Sequence, residues 1–336
     1  MAGVYPELAT LLIKLRERLE AQINQQRRVL EQESSKIEWL PIDSNATGKS
    51  CVVAVDSSFV LVESRLYPVY LVQGVAQAFT FDGGRISGGD QERFYDAGYM
   101  VADPGKRVKK SYYKKALTHY AYLLELKSAY KLAKKVSADL VLLDGSLLSF
   151  MLTRRDVAES ITLANPFEDI DMDRVFDEKQ SIIEGMSEEL APVFVAKSSS
   201  VNFYNLGYSD FQFLEMLRMF RVRQFHEPGY SKPIDIAMDS NVLRFLGLKS
   251  TAVKGFVVTY ARLSRASQAF QLSIPYTSRR PDVGKVVRTL KIFSPAGYPL
   301  PLEAVHRISK LSKRHVKSLI IGLGIPTATG REFLEL

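Results

Sequence analysis

A single cysteine in 336 residues, Cys51, excludes a disulfide framework, because no second thiol exists to close one. It lies in the apolar run Cys-Val-Val-Ala-Val at 51–55, where it reads as a buried, inert thiol, and a reducing cytoplasm is the expected compartment. Long hydrophobic runs are missing too. Nothing approaches the ~20 residues of a membrane-spanning helix, and the N-terminus lacks the charged, apolar and small-residue order of a signal peptide. No internal repeat, low-complexity tract, helix-turn-helix or zinc-finger pattern stands out, so any binding to nucleic acid should ignore base sequence. What remains is an ordinary soluble composition, 46% apolar and 24% charged, with length for one large or two modest domains around a sizeable core.

The formal charge of +8 is unevenly spread. From Thr251 onward 14 Lys and Arg stand against four acids, so the first 250 residues carry a net −2. Concentrated positive charge suits a polyanion, whose phosphates release counterions to Lys and Arg; a solvated basic face is the plain alternative.

Residues 5–36 carry a helical pattern in which Leu8, Leu11, Leu12, Leu15, Leu19 and Ile23 recur at three- and four-residue steps. This stripe packs either on its own chain or on a second copy or partner. A first unit, residues 1–40, is accordingly set apart from a single domain spanning 45–336. Strands are expected at 51–63, 67–81 and 93–103, with a glycine-rich turn at 82–89, followed by a helix at 106–136 and an apolar strand at 138–147. The order is βββαβ. A helical insertion is expected around 150–190, then a strand at 191–200, a helix at 209–220, a hairpin across Arg-Ala-Ser-Gln at 265–268, and one basic amphipathic helix at 301–324.

The tripeptide Gly48-Lys49-Ser50 raises the possibility of a phosphate-binding loop. Such a loop needs a glycine at position 43, which is Asp43, and must follow a strand and open a helix, whereas this tripeptide precedes a strand. A carboxylate reading fares better. Asp56 and Asp144 each end an apolar run, and Glu125 interrupts the apolar stretch of the helix between them; a charge at such positions is costly unless it emerges at a strand end or meets a cation. Hard cations such as Mg²⁺ or Mn²⁺ take oxygen ligands, and a pair of them cleaves phosphodiesters by activating water and stabilising the leaving oxygen. His306, on the basic helix, could ligate Mn²⁺ or donate a proton. Tyr298 suits either a phosphate contact, a stacked base or a core position.

The order of these elements resembles the ribonuclease H-like fold, a mixed α/β sheet flanked by helices. The strings Ala-Val-Asp-Ser-Ser at 54–58, Leu-Leu-Asp-Gly-Ser-Leu-Leu at 142–148 and Ala-Gly-Tyr-Pro-Leu-Pro-Leu-Glu-Ala-Val-His at 296–306 resemble the motifs of the NurA family of archaeal DNA nucleases. The resemblance implies a Mn²⁺-preferring (or Mg²⁺-using) nuclease with paired ions, degrading single- and double-stranded DNA 5′ to 3′ and cutting single strands internally. It also implies a homodimer acting with a hexameric HerA-type helicase in end resection for recombinational repair. Carried over, Asp56 and Asp144 match the two aspartates, Tyr298 and His306 the C-terminal pair, and Glu125 the helix glutamate. All five are expected to be catalytic, with Asp56, Glu125, Asp144 and His306 as metal ligands. Ser57 stands where many relatives are expected to carry glycine, a difference expected to concern a turn.

For DNA contacts, Lys106 to Lys115 interleave cations with Tyr112 and Tyr113, so Tyr113 and Lys114 suit a phosphate backbone with stacked bases, or else an exposed face. Lys197 follows a strand expected beside the catalytic ones. Arg279 and Arg280 occupy a turn suited to backbone contacts. Alternatives to the nuclease are a non-catalytic DNA-end adaptor that loads a translocase, and a resolvase or RNA-cleaving enzyme of the same fold.

Overall fold

The computed structural model describes residues 6–43, 48–64, 66–103, 108–153 and 161–325. Val52 to Val55 have no exposed surface at all, as a run without polar alternation requires, and they form the middle of a sheet covered on both faces. In chain order the elements begin with helix α1 (Pro6–Glu33), β1 (Trp39–Pro41), β2 (Ser50–Val62), β3 (Val69–Asp82), β4 (Arg85–Ala102) and α2 (Lys110–Val136). Next come β5 (Leu140–Asp144), α3 (Leu147–Met151), β6 (Ile161–Ala164), β7 (Asp169–Asp171), α4 (Met172–Glu189) and β8 (Pro192–Ala196). The remainder is α5 (Asp210–Met219), β9 (Gly229–Ser231), β10 (Ile234–Ala237), α6 (Ser240–Leu246), β11 (Gly255–Arg262), β12 (Phe270–Tyr276), α7 (Val283–Ile292), α8 (Leu300–Ser309) and α9 (Lys313–Gly322).

The described strands form one sheet in the order β1-β9-β11-β12-β8-β5-β2-β3-β4-β6-β7, with β10 paired to β11. Its centre, β4-β3-β2-β5-β8, has three antiparallel strands and then two parallel ones, the ribonuclease H-like arrangement. Alternation divides the core. Val52, Ala54, Leu140 and Leu142 face α7 and α8, whereas Val53, Val55, Val141 and Leu143 face α2. Each such side chain contributes ~1.5–3 kcal/mol by leaving water. Among the described residues no helix is long and apolar enough to cross a membrane.

Several boundaries differ from the sequence expectations. The β3–β4 hairpin turns in two residues, Gly83 and Gly84, both at positive φ, and residues 85–92 continue the strand. Glycines and exposed polar groups there hide the alternation. Residues 161–171 are not helical but add β6 and β7 to the sheet; residues 154–160 of the expected insertion lie outside the described residues, as do Lys106 and Arg107. Ser57 and Ser58 form no turn, because β2 runs unbroken for 13 residues. The expected helix at 301–324 is two helices. The Leu311 N–H donates to Ser58 Oγ at 2.7 Å instead of to a helical carbonyl, and Ser312 caps the next helix by accepting from His315 N. Past this break, Val316 and Ile320 cover Val60 and Val62.

Gly74 pairs with Ser57 across β2 and β3. A Cβ there would stand 2.7 Å from the Asp56 carbonyl oxygen and overlap the Phe94 ring. Gly74→Val should therefore destabilise the fold by ~1–3 kcal/mol and displace the strand bearing Asp56, measurable as a lower denaturation midpoint. An unchanged midpoint would show that the strands can part at no expense.

Candidate active site

The parallel register Val55↔Leu143 sets Asp56 and Asp144 at the next position on neighbouring strands, on the face covered by α7 and α8. At Asp144 β5 stops, and Gly145 at φ 139° turns the chain away; β2 continues to Val62. The two carboxylates thus stand on a shoulder where the sheet narrows. Their side chains are 14% and 20% exposed.

Helix α8 lies over β2 and β3 and brings two side chains to Asp56: His306 Nδ1 is 2.9 Å from Oδ2, and Ser309 Oγ donates to the same oxygen at 2.7 Å. Gln73 Nε2 on β3 donates to the Ser309 carbonyl at 3.0 Å, pinning the end of the helix. At Asp144, Lys197 Nζ donates to Oδ2 at 2.6 Å and the Tyr298 hydroxyl to the same atom at 3.3 Å. The Lys197 ammonium also sits 4.7 Å from the centre of the Tyr298 ring. Glu125 arrives from the other face: it is buried in α2 and accepts a hydrogen bond from Ser57 Oγ, which points away from Asp56 by strand alternation.

The electrostatics are those of crowded negative charge. Burial raises the Glu125 pKa to about 8, with Asp56 and Asp144 adding repulsion against the hydrogen bond from Ser57. Burial also raises Asp56, although Ser309 and His306 oppose it. Burial lowers Lys197, but hydrogen bonds to Asp144 and Tyr298 and the attraction of both together outweigh that and keep it raised. Tyr298 is pushed up to about 12 by burial first and Asp144 second, so its hydroxyl stays a donor. Among the described residues no three acidic or histidine side chains close into a finished metal cage, since Lys197, His306 and Ser309 hold the carboxylates instead. The donors nonetheless suit a hard divalent cation, whose charge would relieve the repulsion that raises Asp56 and Glu125.

Residues 51–311 match the NurA domain family. The chain belongs to the NurA family. It is 25% identical over 294 residues, 80% of each chain, to the DNA double-strand break repair nuclease NurA of Sulfolobus acidocaldarius. The NurA nuclease from Sulfolobus solfataricus superposes with a TM-score of 0.63 at 17% identity over 96% of this chain and 97% of its own. A crystal structure of NurA bound to dAMP and manganese gives 0.58 at 14% identity, over 94% and 96%. These likenesses establish the fold.

In this NurA domain Asp56, Asp144, Lys197, Tyr298 and His306 share one shoulder, with Glu125 behind it. The other expected contacts lie elsewhere. Lys110 pairs with Glu63, so α2 starts beside the far end of β2, and Tyr113 and Lys114 lie roughly 17 Å along the helix from Glu125. Tyr113 is half-buried in the core there, and Lys114 is exposed. Arg279 and Arg280 follow the end of β12 opposite the site, about 20 Å away along that strand, and Arg280 pairs with Asp235 on β10. Lys49 stands before β2 within ion-pair reach of Asp82, at 3.8 Å. Sequence reasoning missed Ser57 and Ser309. The signal for Ser309 was its spacing three residues after His306, which puts both on one helix face.

Proposed function

We propose that this protein is a divalent-metal-dependent nuclease that hydrolyses DNA phosphodiesters in double-strand break repair. The observation that carries this reading is the meeting of Asp56 and Asp144 on adjacent strand positions, bordered by Lys197, Tyr298 and His306. Asp56 and Asp144 would hold Mn²⁺ or Mg²⁺, with Glu125 supporting from the opposite face. When bound, the cation supplies Lewis-acid activation of water and stabilises the leaving oxygen. The chain's own groups do the rest. Lys197 turns its ammonium from Asp144 to a phosphate oxygen. Tyr298 donates a hydrogen bond to that phosphate. His306 faces Asp56 with Nδ1, which leaves Nε2 to deliver a proton to the leaving alkoxide.

Labelled single- and double-stranded DNA incubated with and without Mn²⁺ tests the proposal, and metal-stimulated shortening is the expected result. Binding without product would favour the end adaptor. The proposal includes 5′ to 3′ digestion of both kinds of strand, internal cutting of single strands, paired ions, and work as a homodimer with a hexameric HerA-type translocase in end resection.

Helix α1 supports the partner reading. Its C-terminal Leu30 enters the core, whereas Leu8, Leu11, Leu12, Leu15 and Leu19 are each about half or more exposed. Deleting residues 1–20 should loosen self-association or translocase binding in sedimentation experiments. Cleavage by the isolated chain should keep its metal dependence. Unaltered sedimentation with and without the translocase would remove α1 from both roles.

A further inference from the structure

Beside Lys197 the surface opens into a cavity of about 580 Å³ bounded by α1, α5 and the turn from β11 to β12. That size falls within the ~300–1,000 Å³ of small-ligand sites. Tyr208, Phe211, Met216 and Met219 form an aromatic and apolar lining, and Gln22, Gln212 and Gln268 supply neutral amides. Phe211 is braced edge-on by Tyr260, 5.5 Å between centroids at 89°, and the Tyr260 hydroxyl is tied to Asp210 at 2.7 Å. The acid in the lining, Glu215, is drawn into an ion pair with Arg218. Past it, Arg218, Arg221, Arg265, His226 and Glu227 surround a second hollow of about 320 Å³, in which Arg265 pairs with Glu227 at 2.7 Å and the arginines outnumber the acid three to one. Lys197 belongs to both places, since it lines the cavity and holds Asp144.

We propose that this cavity receives one unpaired nucleobase adjoining the phosphate addressed by Lys197 and Asp144, and that Arg218, Arg221 and Arg265 carry the phosphates that follow. The inference rests on the nuclease reading of the site and names the state of the strand it accepts. An aromatic platform beside a cationic groove binds single strands regardless of sequence, because every base has a face to stack. Glutamine amides serve as donor or acceptor to any base edge. A paired base cannot enter, so the bond next to the cavity is cut only after its base has left the duplex stack. A second copy of the chain is the competing occupant. It would bury the apolar lining but leave the continuity with Lys197 and the arginines without use.

The test moves one abasic residue stepwise along a single strand cut by the full chain in Mn²⁺. Wild type is expected to lose about tenfold in cleavage at the bond whose neighbouring base is missing. Met216→Arg, which fills the cavity, should cut the intact strand more slowly and show no further loss at the abasic position. Gln268→Glu, on the exposed turn, gives the same reading should Met216→Arg not fold. A flat profile in wild type overturns the proposal. So does a Met216→Arg chain that becomes monomeric and cuts intact strands at the wild-type rate, because the cavity then holds a second copy. If wild type cuts nothing in either metal, the nuclease reading fails separately. Quenching of a 2-aminopurine strand then decides the cavity, being present in wild type and lost in Met216→Arg if a base enters, and absent from both if none does.

Discussion

Asp144→Asn should abolish metal-dependent cleavage, by roughly a thousandfold or more, which is about 4 kcal/mol of transition-state stabilisation. Asp56→Asn should do the same. Each change keeps the shape of the side chain and removes a negative oxygen facing the shoulder, so the loss would report charge and ligation. DNA binding should survive and, for Asp144→Asn, strengthen, because Lys197 loses its 2.6 Å carboxylate partner and becomes free for phosphate. The two variants should also be non-additive, since residues that act as one unit fail together. Single-turnover cleavage paired with filter binding separates the two effects. A wild-type rate for either variant in Mn²⁺ would falsify the site assignment.

Glu125→Gln should have opposite effects on stability and activity. The folded-state pKa of Glu125, about 8, lies above its ordinary 4.5, so the carboxyl is protonated in the metal-free protein at neutral pH. The stability associated with that proton is fully present below about pH 4.5 and is lost as pH rises through about 8. Glutamine keeps an acceptor for Ser57 and carries no charge to bury. The metal-free variant should therefore lie close to wild type near pH 5 and exceed it at pH 9 by up to about 4 kcal/mol, several degrees in melting temperature. Mn²⁺ should raise the wild-type melting temperature, more so at high pH, where the carboxylates are already ionised. Cleavage by the variant should fall. Parallel melting profiles across that pH range would remove Glu125 from the buried cluster.

Asp56 and Asp144 were legible because an apolar strand interrupted by a carboxylate is costly, and the βββαβ order makes the two strands neighbours. Lys197 followed from the same adjacency. Residues Tyr298 and His306 stood out through motif resemblance, since no periodicity encodes a contact across 250 residues between His306 and Asp56. Arg279 and Arg280 show the limit of charge as a guide: composition marks a basic turn but not the end of the sheet on which it falls. The start of β4 was hidden because glycines and polar residues can line an exposed strand face without alternation. The break between α8 and α9 depends on Ser58, a tertiary acceptor more than 250 residues earlier. The helical period of α1 was plain, but a period does not say what covers it.

Because Asp56 is held by His306 and Ser309, the site is assembled from the beginning and the end of the domain. A chain emerging during synthesis carries both aspartates long before α8 exists. Until α8 has emerged and docked on β2 and β3, such a chain lacks the imidazole and the hydroxyl that hold the Asp56 carboxylate. On the proposed nuclease reading, a chain still lacking α8 should not cut DNA, and a copy clipped before residue 300 should stay inert.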